Sequence, residues 1–95
     1  MLIKIDRNEE MEVKFRNSTI LSAEIYNGNI ILGGNYREEP AIYILNNNLE
    51  IEDIFVDNFK GWCEKVFSVS SKKVIALGYS LTERESTVSF VERKQ

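Results

Sequence analysis

Apolar and polar residues alternate along much of this chain with a period of two. Met11, Val13 and Phe15 interleave with Glu12, Lys14 and Arg16, the pattern of a strand with one face on a core and the other in water. Elsewhere both parities are apolar, as in Ile30-Ile31-Leu32 and Ile42-Tyr43-Ile44-Leu45, which predicts strands covered on two sides. No window of about a dozen residues sustains the i, i+3, i+4, i+7 spacing of an amphipathic helix. The predicted class is therefore all-β.

Turn chemistry divides the strands at short intervals. Asn27-Gly28 is the strongest hairpin signal, because both residues tolerate the positive φ of a type I′ turn. Arg7-Asn8-Glu9, Asn46-Asn47-Asn48 and Ser71-Lys72 read as further turns. Strands are predicted near 2–6, 11–16, 19–26, 29–35, 41–46, 49–56, 63–70, 73–79 and 86–92, joined as antiparallel meanders.

Two segments then prove to be written twice. Asn29 to Gly34 lies over Lys73 to Gly78 at an offset of 44, and the preceding strands, Ser22-Ala23-Glu24-Ile25 and Val66-Phe67-Ser68-Val69, carry the same offset. Ile3 to Phe15 lies over Tyr43 to Phe55 at an offset of 40. A period of roughly 40–45 residues holding four short strands is that of a propeller blade. The succession IKIDRNEE and YILNNNLE, then MEVKF and IEDIF, then IILGG and IALGY resembles β-propeller blade repeats, without the Trp-Asp and Gly-His marks of WD repeats. The resemblance spans nearly the whole chain and implies antiparallel four-stranded meanders. With strands lettered A to D from the axis outward, residues 1–18 form a partial C-D unit, 19–58 a blade and 62–95 an incomplete blade, nine strands in all. A small β-sandwich or barrel is the alternative architecture, one that would not require the two offsets.

Composition narrows the function classes. At 95 residues, with 43% hydrophobic and 28% charged residues, the chain suits one globular domain. A net charge of −3 and a pI near 5.0 provide no basic footprint for nucleic acid or an anionic membrane surface. The single cysteine, Cys63, forms no internal disulfide, which fits a reducing compartment, with the cytoplasm the expectation. MLIKIDRNEE reaches charge too early for the apolar core of a signal peptide, and no apolar run approaches the roughly 18 residues of a membrane span. Asn17-Ser18-Thr19 is a glycosylation sequon, relevant only to a secreted chain.

Candidate chemistry is sparse. The chain has no histidine, which removes the commonest general base and metal ligand, and Cys63 lacks both a histidine partner and fellow zinc-ligating cysteines. No metal, cofactor or enzymatic activity is expected. The acidic groups Glu9-Glu10-Glu12, Glu38-Glu39 and Glu50-Glu52-Asp53 read as solvated strand edges, since neighbouring strand residues point to opposite faces. Gly33-Gly34 has no helix after it to make a phosphate cradle and reads as a bulge or close packing. Loops 35–40, 57–62 and 79–86 should gather on one rim if blades form. There Tyr36 and Arg37 offer a ring and a planar cation, and Phe59 with Trp62 an aromatic platform, the equipment for binding a peptide or stacking on a sugar. The bland counterpart is that Phe59 and Trp62 staple the crossover onto the core and that Tyr36 packs beside it. The expected function is a non-enzymatic binding or scaffold module, completed by self-association or by a longer parent chain. A small lectin-like carbohydrate binder assembling a ring from several chains is the alternative.

Overall fold

Seven strands follow one another as β1 (Ser18–Tyr26), β2 (Asn29–Tyr36), β3 (Glu39–Leu45), β4 (Ile51–Val56), β5 (Gly61–Ser68), β6 (Lys73–Ser80) and β7 (Glu85–Glu92) in the computed structural model, which describes residues 17–92. The expected strands at 2–6 and 11–16, their turn and the Glu9-Glu10-Glu12 cluster lie outside the described residues. The class is all-β, as the alternation predicts. Two antiparallel meanders form, a four-stranded sheet β1-β2-β3-β4 and a three-stranded sheet β5-β6-β7. Among the described residues no helix is long and apolar enough to cross a membrane.

Local chemistry accounts for the hairpins. Asn27 and Gly28 take φ of 49° and 79°, the two positive values of a type I′ turn, whose twist matches that of the strands it joins. The Asn46 side chain closes the β3–β4 connection by accepting from the backbone N–H groups of Asn48 and Glu50, at 2.9 and 3.0 Å. This is an Asx-type turn. Ser70 Oγ accepts from the N–H groups of Lys72 and Lys73 in the β5–β6 connection. The expected loop at 35–40 is instead a tight two-residue turn. Tyr36 pairs with Glu39, and Arg37 and Glu38 both have positive φ, at 49° and 70°.

The sheets pack face to face. Ile31, Ile42 and Ile44 of the first sheet bury against Cys63, Val66, Val74 and Ala76 of the second, with Tyr26, Phe55 and Val91 at the margin. Glu24 of β1 reaches across to accept the N–H of Ser68, so the inner edge of β5 is capped by a carboxylate from the opposing sheet. The opposite face of the first sheet is buried as well, around Leu32, Ala41, Tyr43 and Leu45. This is why the β2 and β3 sequences are apolar on both parities.

The hydrogen-bond register relates the two sheets strand by strand. Ile30 pairs with Ile25 as Val74 pairs with Ser68, and Ile30 pairs with Leu45 as Val74 pairs with Val91. The offsets are therefore 44 for β2 onto β6, 43 for β1 onto β5 and 46 for β3 onto β7. The first-strand offset corrects the 44 of the sequence alignment, because the β5–β6 hairpin holds one residue more than β1–β2. With that adjustment the bulge in β1, between Ile20 and Ser22, and the bulge in β5, between Cys63 and Lys65, fall at matching places. Under these offsets Val74, Ala76 and Val91 lie over Ile30, Leu32 and Leu45. The face that the second sheet turns toward the first thus corresponds to the far face of the first. The sheets stack head to tail.

Candidate functional site

Three connections meet at one end of the sandwich, and backbone hydrogen bonds sew them together. Gly61 N–H donates to the Glu38 carbonyl, and Leu81 N–H donates to the Lys60 carbonyl, both at 2.8 Å. The β4–β5 crossover is thereby held between the β2–β3 turn and the β6–β7 loop. Asp57 N–H donates to the Pro40 carbonyl at 3.0 Å, and Arg37 N–H to that of Asn17 at 3.0 Å. Lys60 Nζ lies 3.8 Å from a Glu38 carboxylate oxygen in open solvent, where an ion pair contributes little. The gathering of the three loops expected from the sequence is present in these bonds.

The four aromatic and cationic candidates do not form one patch. Tyr36 packs with the Leu32–Tyr43 cluster on the far face of the first sheet, and the Arg37 guanidinium stands 5.2 Å from its ring centroid, within cation–π range. Trp62 belongs to β5 rather than to the loop before it. Its ring stacks on Tyr79, its neighbour across the ladder, with centroids 5.2 Å apart and planes inclined by 26°. Its indole N–H donates to Glu64 at 3.3 Å. Phe59 stays in the crossover, half-buried, with its ring edge beside Gly61. The aromatic platform on the second sheet is therefore Trp62 with Tyr79, and sequence reasoning missed Tyr79. Sixteen residues lie between Trp62 and Tyr79 in the sequence, and only the β5–β6 register brings their rings together.

The other candidates have structural partners. Cys63 is buried between the sheets, and burial pushes its thiol from the ordinary 9.0 up to about 11, so it stays protonated and is a poor nucleophile. Glu50 accepts from the Asn46 amide at 2.8 Å, and Glu52 from the Asn29 amide at 3.1 Å. Both carboxylates stand on or beside β4, the last strand of its sheet among the described residues. Gly33 and Gly34 are both close-packing positions. A Cβ on Gly34 would lie 1.8 Å from the Thr19 carbonyl oxygen, and one on Gly33 would press on Val66, Cys63 and Ser22.

Sequence reasoning also missed a cleft of about 400 Å³ between the outer edges of the two sheets. Ile42 and Phe55 line one wall, and Thr87, Ser89 and Val91 the other, with Asp57 at the rim end. It exists because β4 has no counterpart beyond β7 among the described residues. Beside it the outer face of the second sheet is apolar and in water. Val88 is 62% exposed and Phe90 68%, with Phe67 and Leu77 exposed in the same rows. No protein-family model, curated protein or solved structure matches this chain.

Proposed function

We propose that this chain is a non-enzymatic binding or scaffold module built from two propeller-like blades, the second of which is completed outside the described residues by association with further chain. The observation that carries the reading is the matched register of the two sheets. The same bulge recurs at the same place in both, and the face that the second sheet turns toward the first corresponds to the far face of the first, while among the described residues the second has three strands to the first's four. Stacked repeats need about three or more units to bury their faces, and the exposed Val88–Phe90 face is what two units leave over. The buried, protonated thiol suits a reducing compartment such as the cytoplasm.

Light scattering over a wide concentration range tests the reading. Assemblies at multiples of 11.0 kDa are expected, and a cooperatively folded monomer at high concentration would overturn self-completion. The Trp62–Tyr79 stack favours a second reading, a lectin-like module, because such a surface suits the apolar face of a sugar. Saturable glycan binding that is lost in Trp62→Ala with the fold retained is the result it requires.

A further inference from the structure

We infer that the cleft between the two sheets is a binding site for a small hydrophobic ammonium ion, a body the size of an aromatic ring that carries a protonated amine. The inference goes beyond the blade reading and stands on the residues that line the cleft, all of them described.

The strands order the two walls by polarity, because side chains two apart on a strand share a face. On the first wall Phe55, which packs at the margin of the core, points the same way as Asp57, just past the end of β4. The bond from Asp57 N–H to the Pro40 carbonyl, at 3.0 Å, carries the ladder on to that point. On the second wall Val91, also at the core margin, shares its face with Ser89 and Thr87. β4 ends and β7 begins where the Leu81–Lys60 bond joins the connections, so Asp57 and Thr87 stand at that end and the apolar side chains lie beyond them. Thr87 Oγ1 lies over Gly78, 3.2 Å from where a Cβ on that glycine would stand, and Ala41 and Ala76 are also short. These small residues leave the volume of about 400 Å³, which is within the range of small-molecule pockets.

Charge selects the ligand. Asp57 is the one charged residue in the lining, and a lone carboxylate beside apolar walls favours a cation over an anion or a neutral molecule. Burial is the main cause of the raised Cys63 pKa, and the negative charge of Asp57 adds to it, which sets that carboxylate near the thiol on the cleft wall. A metal ion is the wrong cation. Among the described residues no three His, Cys, Asp or Glu side chains are grouped to hold one, and a hard cation needs several oxygen ligands. An ammonium needs only a carboxylate and a hydroxyl to accept its N–H bonds, while its apolar body displaces water from Phe55 and Val91.

Amide chemical shifts of the isotope-labelled full chain test this at low salt with three probes of similar body: phenethylamine, phenethyl alcohol and hydrocinnamate. Phenethylamine should shift the amides of Asp57, Cys63, Thr87 and Ser89 saturably, the alcohol should bind about five- to tenfold more weakly, and hydrocinnamate should give no response. Asp57→Asn should bring the amine down to the level of the alcohol and leave the alcohol unchanged. Ser89→Leu, or Thr87→Leu should the first fail to fold, fills the cleft and should abolish binding of both. The site is overturned if no probe gives a saturable response, if the shifts map away from these residues, or if binding survives in the filled cleft. Equal affinity for the amine and the alcohol would overturn the ammonium as the ligand. None of these results bears on the blade reading, which the light scattering tests; a monomer that binds the amine would overturn self-completion and leave the cleft site standing.

Discussion

Replacing Gly28 by valine isolates the conformational cost of a single turn. The φ of 79° at Gly28 and 49° at Asn27 lies in the left-handed region, which is open to glycine and asparagine and closed to a β-branched residue. A Cβ at Gly28 would meet nothing within 4 Å, so no packing term enters and the whole effect is backbone strain. Valine held there costs about 1–2 kcal/mol, and relaxing the turn would instead break the Tyr26–Asn29 pairing that ends the hairpin. Asparagine, which tolerates the conformation, should cost only a small part of this. For a domain of this size the urea slope is about 1 kcal/mol per molar, so Gly28→Val should lower the urea midpoint by about 1–2 M at fixed protein concentration, with Gly28→Asn close to wild type. Coincident melts of the two variants would refute the reasoning, since the Cβ that both add meets nothing within 4 Å and the two differ in tolerance of positive φ.

Gly34→Ala tests close approach rather than φ. Its Cβ would sit 1.8 Å from the Thr19 carbonyl oxygen, so β1 must move away from β2, and a loss of about 3 kcal/mol or more is expected in the same melts. Cys63 carries a pH prediction. Its folded pKa of about 11 lies above its ordinary 9.0, so the folded state holds the proton more tightly. The associated stability is complete below pH 9 and is lost as pH rises toward 11. The unfolding free energy should fall through that window, and less steeply in Cys63→Ala. An identical slope in the variant would assign the effect to other groups.

How much of this was legible in the sequence depended on whether the cause was local. The Asn27-Gly28 turn could be read because the residues themselves supply the conformation. The Arg37-Glu38 turn could not, since neither residue favours positive φ, and a tertiary bond from Gly61 N–H to the Glu38 carbonyl holds it. Alternation located the strands and the two-sided burial of β2 and β3. The sequence reading places Trp62 in the connection 57–62, whereas the ladder runs from Gly61, paired with Ser80, through Trp62. The cleft was invisible because it arises from the difference between two sheets. That difference emerges only when β7 is seen, among the described residues, to have no neighbour where β3 has β4.

The unlike faces of the two sheets have a consequence for the self-association proposed above. In that proposed assembly the contacts between successive units would be heterologous, and such contacts close into a ring only if the rotation per unit divides a full turn; otherwise they run on as a filament. The rotation is set where Ile31, Ile42 and Ile44 meet Val66, Val74 and Ala76. A change in side-chain volume there alters the wedge angle between sheets without touching any outer surface. Ala76 is the sensitive position, a small residue packed with three isoleucines, and under the proposed self-association its enlargement is the substitution expected to turn a closed ring into an open fibre.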